Sequence, residues 1–310
     1  MPSATLVEFE TADNLFLPGL LYEPEKKSKK VALVLHGNGS SSILYHVEKN
    51  NAFAESLNKE GIAYFPFNNR GAHLMKRFSR ALENGEKEDV NCGSGYERIK
   101  DCILDIEGAV KFLQSQGYSE FYLIGYSTGA NKILVYNYYR PQNPFSKFVL
   151  LGGGDDTGIY FQMAGSVKKL QSFLQKAKAK IESGQGEKLV PKYMSVFPYS
   201  YQAYYDIANP DGDYNTFPFW EVLNKLSLSK KELWREYKSL RKPTLVMYGG
   251  EDKYCYGKVA ECVEILKKQK PKSTLFELKI IKGADHSFME HAKELVGEVT
   301  DFLTNSKFKG

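Results

Sequence analysis

Residues 120–140 read EFYLIGYSTGANKILVYNYYR. A hydrophobic run, residues 121–125, ends abruptly in Gly125-Tyr126-Ser127-Thr128-Gly129, and residues 128–139 then carry a helical pattern. Gly-X-Ser-X-Gly between a strand and a helix is the pattern of a nucleophile elbow. Such a turn is tight enough to strain the serine backbone. The glycines two residues to either side remove β-carbons that would strike the neighbouring strand and helix. The expected result is a Ser127 hydroxyl raised above the carboxyl edge of a sheet, where open α/β sheets bind their ligands.

Working outward, strands and helices alternate. Strands are expected over 4–10 and 15–22, joined by a hairpin turn at "TADN". The run "VALVLHG" (31–37) suits a strand buried on both faces. A helix is expected over 47–59, a strand over 61–67, and a helix over 97–117 from Ile99, Ile103, Ile106, Val110 and Leu113. Strands at 147–153, 244–250 and 275–281 and helices at 256–268 and 289–304 complete the series. This rhythm predicts an α/β fold with a mostly parallel sheet covered by helices on both faces.

Residues 154–241 break the rhythm with a Lys-rich helical stretch and then ten aromatics within 193–220. A connection that long needs structure of its own. We therefore expect a core of 1–153 and 242–310 with a helical cap, 154–241, inserted between sheet strands. Tyr199, Phe217 and Trp220 are candidates to line a substrate pocket in that cap, since such rings present flat apolar faces with polar tips. The competing reading is that the aromatics merely build the cap's own core.

The chemistry follows from order along the chain. A serine hydroxyl needs a base within hydrogen-bond reach. In the strand–serine–helix architecture the acid and then the histidine follow the serine. The strand at 244–250 is followed by Glu251-Asp252, and the next strand by "KGADHSF" with His286. Asp252 would hold the imidazole tautomer, with Asp285 as the rival acid. The developing oxyanion calls for two N–H donors. One is the backbone N–H of Thr128, at a helix N-terminus. The other is Asn38 in "HGNGS" (36–40), a Gly-rich loop close to the HGGG type. His36 precedes the serine and is read as supporting that loop.

Composition narrows the rest. The 310 residues are 42% hydrophobic and 14% aromatic, enough for a sizeable core, and 42 basic against 37 acidic residues leave only +5. Nucleic acid is therefore not an expected partner. No apolar run reaches the length of a membrane span, and the N-terminus lacks a signal-peptide pattern. Cys92, Cys102, Cys255 and Cys262 have neither metal-finger spacing nor the density of a disulfide scaffold, and read as reduced thiols of a cytoplasmic protein. No His/Cys/Asp ligand cluster calls for a metal, and no cofactor is expected.

On the pieces "LHGNGS", "FNNRGA", "LIGYSTGA", "MYGGEDKY" and "GADHSF", which span residues 31 to 288, the chain resembles the α/β-hydrolase superfamily. Within it the likeness is closest to bacterial esterases of the feruloyl or cinnamoyl type. Tyr126 stands where many members have His before the serine, and Arg70-Gly71 matches a structural turn. The resemblance implies a cap between core strands 6 and 7, the interval of 154–241. It also implies a serine hydrolase cleaving a small-molecule carboxylic ester through an acyl-serine on Ser127, His286 and Asp252. A peptidase or acyltransferase on the same triad is the alternative, and a non-catalytic binding scaffold a further one.

Overall fold

The computed structural model describes residues 2–82, 84–271 and 275–305. Ten strands, β1 (Thr5–Glu10), β2 (Phe16–Leu21), β3 (Lys30–Leu35), β4 (Ile62–Pro66), β5 (Lys76–Ala81), β6 (Lys87–Cys92), β7 (Glu120–Tyr126), β8 (Phe145–Leu151), β9 (Thr244–Gly249) and β10 (Phe276–Ile281), lie among these residues. Six form one parallel sheet in the order β10-β9-β8-β7-β3-β4. The antiparallel β1–β2 hairpin extends its β4 edge through bridges from Gly19 to Phe67 and Tyr22 to Tyr64. Pro66 sits at the end of β4, where losing one ladder donor is tolerated.

Alternation along the strands divides the core. Val31, Leu33 and Leu35 of β3 face one way, with buried residues of α2 (Cys102–Ser115), α3 (Thr128–Tyr139) and α9 (Val259–Gln269). Ala32 and Val34 face the other way, with α1 (Val47–Lys59) and α10 (Ala292–Thr304). Both faces of the sheet are thus covered, which is why its strands read as unbroken apolar runs. Consecutive strands step outward from β3 in opposite directions, to β4 and to β7. The crevice at such a reversal is the usual ligand position of open α/β sheets.

Two regions add to this frame. β5 and β6 form a separate antiparallel hairpin that the sequence reading did not assign. It closes near Asn84-Gly85, with Gly85 at φ 82°. Phe78 and Val90, a cross-strand pair, pack against the core, and Cys92 at the end of β6 is buried in it, so the apolar signal along the two strands was sparse.

Between β8 and β9 lie α4 (Asp156–Ala164), α5 (Val167–Glu182), α6 (Tyr201–Ala208), α7 (Phe219–Leu223) and α8 (Arg235–Lys238). Side chains of Asp155, Ser166 and Ser200 cap the first three by accepting backbone N–H bonds. Tyr160, Leu170, Phe173, Tyr204 and Ile207 bury one another over Ile99 and Val135. The later part behaves differently. Phe217, Phe219, Trp234, Tyr237 and Leu240 belong to the same buried cluster as β7, β8 and β9.

Candidate active site

The elbow is built by close backbone approach. Ser127 takes φ 52° and ψ −126°, a sparsely populated conformation that costs about 1–3 kcal/mol. A β-carbon on Gly125 would lie 2.4 Å from the carbonyl of Gly129, and one on Gly129 would lie 2.4 Å from the carbonyl oxygen of Leu35. Gly37 is equally constrained, because its β-carbon would come within 2.8 Å of that of Ser127. The Ser127 N–H donates to the Leu151 carbonyl at 2.8 Å, tying the turn to the end of β8.

His286 follows β10, and its Nδ1 meets Asp252 Oδ2 at 2.8 Å. The carboxylate accepts, so Nδ1 carries the proton and Nε2 keeps its lone pair. Asp252 is buried, and its other oxygen accepts the Tyr254 N–H at 2.9 Å. The Tyr254 ring stands edge-on to the imidazole with centroids 4.5 Å apart. Asp285 points elsewhere, accepting from the N–H groups of Ser287 and Phe288 and from the Ser287 hydroxyl. Gly152, at φ 58°, leaves room for the pair, since a β-carbon there would lie 3.2 Å from the imidazole and 3.3 Å from Asp252 Oδ2.

Ser127, His286, Asn38 and Thr128 line one cavity of about 560 Å³. The hydrogen bond of the His286 ring runs to Asp252, and among the described residues none joins the ring to Ser127 Oγ. Contacts of that kind often tighten only when substrate is bound. Thr128 opens α3, where first-turn N–H groups have no intrahelical acceptor. Asn38 is held from the far side, because its side-chain amide donates to the Tyr199 hydroxyl at 2.9 Å. His36 Nδ1 donates to the Gly37 carbonyl at 2.8 Å. Burial, assisted by the Lys132 charge, pushes the His36 pKa well below the ordinary range, so the ring is neutral and braces the loop.

The three aromatics singled out in the sequence separate. Tyr199 lines the cavity, whereas Phe217 and Trp220 lie outside its lining. Phe217 packs against Gly153 and stacks on Phe219 with centroids 5.9 Å apart, and Trp220 packs on Tyr256 at 4.8 Å. By residue 217 the chain has already turned down into the main core. Their place is taken by Tyr160, Phe197, Ile159 and Met163.

Two charged lining residues escaped the sequence reading. Asp156 accepts the Thr128 hydroxyl at 3.0 Å, and burial pushes its pKa up to about 6. The "GGGDD" run just past a strand end was the available signal. Lys49 projects from α1 into the cavity. Beneath the elbow, fully buried Lys132 pairs with Glu97 at 2.7 Å and donates to Asn69 at 3.2 Å. Arg70 pairs with Asp105 and Asp13 and holds its own turn.

Comparison with known proteins agrees with this fold. An esterase of Pyrococcus furiosus is 18% identical with a TM-score of 0.61, over 100% of this chain and 92% of that one. Est1E from Butyrivibrio proteoclasticus is 15% identical with a TM-score of 0.57, over 97% of each chain. The α/β hydrolase GrgF from Penicillium sp. is 16% identical with a TM-score of 0.63, over 97% of this chain and 98% of that one. At such identities these likenesses establish the fold. The search of curated proteins gives no match. Residues 26–292, most of the chain, match the family model described as serine aminopeptidase, S33, and the protein belongs to that family of α/β hydrolases.

Proposed function

We propose that the protein cleaves carboxylic esters of small molecules through an acyl-serine intermediate. The observation that carries this reading is the 2.8 Å bond between His286 Nδ1 and Asp252, which leaves Nε2 as the acceptor of a ring that lines the same cavity as Ser127. Ser127 Oγ attacks the ester carbonyl carbon as His286 Nε2 takes its proton. The N–H groups of Asn38 and Thr128 hold the resulting oxyanion. The carbonyl re-forms, the C–O bond to the alcohol breaks, and His286 returns the proton to the departing oxygen. Water then repeats the sequence on the acyl-serine, with His286 as base, and releases the acid. That the Pyrococcus protein is an esterase supports an ester substrate, and Est1E has been solved with ferulic acid bound.

Amide cleavage is the second reading. It is favoured by the family's aminopeptidase description and by the Asp156 carboxyl in the cavity, which could receive a substrate ammonium group.

The test is labelling by a fluorophosphonate probe together with turnover of p-nitrophenyl butyrate and aminoacyl p-nitroanilides. Wild type should be labelled and should favour the ester. Ser127→Ala should lose labelling and about 10⁴-fold or more of kcat while keeping its circular dichroism. Undiminished turnover in that variant would overturn the reading. Faster cleavage of the anilides would favour the amide reading.

A further inference from the structure

The cavity is not symmetric about Ser127. On the side of the inserted helices it is walled by Ile159, Tyr160, Met163, Phe197 and Tyr199, with Asp156 the acidic group there. On the other side it runs under α1, past Tyr45, His46, Lys49 and Asn50, with Tyr126 and Ser287 flanking. Lys49 dominates that end. Its side chain is buried, and its Nζ donates to the Ser287 carbonyl at 3.0 Å and lies over the Tyr126 ring, 4.3 Å from the centroid.

One carbonyl and one ring face do not balance a buried ammonium, which has three protons to donate. No carboxylate lies within 4.0 Å of Nζ among the described residues. The nearest influence of opposite sign is Asp285, whose carboxylate is already committed to Ser287 and Phe288. The Tyr126 hydroxyl, also buried, has no hydrogen-bond partner among the described residues. Two residues whose polar groups are short of partners therefore stand side by side in the lining of a substrate cavity, where an uncompensated buried charge is costly unless a ligand completes it.

We propose that Lys49, seconded by the Tyr126 hydroxyl, receives a carboxylate carried by the substrate, so that the protein prefers esters bearing a negative charge close to the scissile carbonyl. The inference rests on the ester reading above and narrows its substrate class. Lys49 contacts Ser287, the neighbour of His286, and Tyr126, the neighbour of Ser127. The carboxylate must therefore sit a short chain away from the reacting carbon. Half-esters of short dicarboxylic acids and acyl esters of short hydroxy acids both meet that requirement. Asp156 on the opposite side repels the same group and fixes its direction.

The experiment compares kcat/KM for monoethyl glutarate with ethyl valerate, and for butyryl glycolate with ethyl butyrate. The first pair places the charge on the acyl side and the second on the alcohol side. Wild type should favour the charged member of at least one pair by about 10-fold or more, the size of a charge-assisted hydrogen bond. Lys49→Met should reduce that ratio by a similar factor. Lys49→Gln should do the same while still able to donate to the Ser287 carbonyl, which separates charge from loop support. A wild-type ratio near one in both pairs overturns the proposal, as does an equal loss on both members in Lys49→Gln. Calorimetric binding of monoethyl glutarate and butyryl glycolate to Ser127→Ala, with and without Lys49→Gln, decides the matter without turnover. If no ester is hydrolysed, the ester reading fails alone, and Lys49-dependent binding still supports the anion site. Absence of such binding removes it.

Discussion

The side-chain amide of Asn38 donates to the hydroxyl of Tyr199 at 2.9 Å, across 161 residues of chain. One partner sits in the loop after β3 that we propose to offer an oxyanion donor, and the other in the segment inserted before β9. The inserted segment therefore helps to set the direction of the Asn38 N–H. Tyr199→Phe keeps the ring and removes the hydroxyl that accepts from Asn38. Its kcat on p-nitrophenyl butyrate should fall about 3- to 10-fold, the worth of one ordinary hydrogen bond. Steady-state kinetics with unchanged kcat would place oxyanion support elsewhere.

Asp252 and Asp285 offer a matched comparison. Asp252 holds Nδ1 of His286, whereas Asp285 is spent on its own turn. Asp252→Asn should lower kcat about 10³- to 10⁴-fold, because an amide can present its NH₂ to Nδ1 and favour the wrong tautomer. Asp285→Asn should cost less than a tenth of that loss in logarithmic terms. Parallel kcat measurements on the two variants check the assignment.

Asp156 gives a prediction with a definite sign. Burial raises its folded pKa to about 6 from an ordinary 3.8. The carboxyl thus stays protonated in the native protein over an interval in which the unfolded chain has already ionised it. Stability attributable to this group is fully present below about pH 4 and is lost as pH rises through about 6. Asp156→Asn cannot ionise and still accepts the Thr128 hydroxyl. Its melting temperature relative to wild type should rise between pH 4 and pH 7 in calorimetric scans, and a flat difference would refute the argument.

The Lys132–Glu97 pair is buried on both sides beneath the elbow. Lys132→Met leaves the Glu97 carboxyl without its counter-ion, and burial then drives it toward the neutral form. We expect about 3–5 kcal/mol of lost stability in urea titrations. The double variant Lys132→Met/Glu97→Leu should recover much of it, and a failure to recover would show that the pair contributes more than charge balance.

The sequence was most readable where structure is local or where geometry dictates residue type. The helices at 47–59 and 128–139 coincide with α1 and α3, because their boundaries are set by turns and glycines. The elbow was visible because two close backbone approaches leave no room for a β-carbon at Gly125 or Gly129. His286 and Asp252 were singled out by their places after β10 and β9, and the fold brings the two side chains to 2.8 Å. What escaped depends on contacts distant in sequence. Lys49 resembles any surface lysine of an amphipathic helix until α1 is docked over Tyr126. Phe217 and Trp220 could not be told from Tyr199 by composition, since all three stand in one aromatic run and only the path of the chain separates them.

The burial of Phe217, Phe219, Trp234 and Tyr237 among the side chains of β7, β8 and β9 has an architectural consequence. Excising everything from 154 to 241 would strip the sheet of part of its own upholstery. A graft that alters substrate choice while sparing the scaffold should therefore exchange α4 through α6 and leave the returning limb in place.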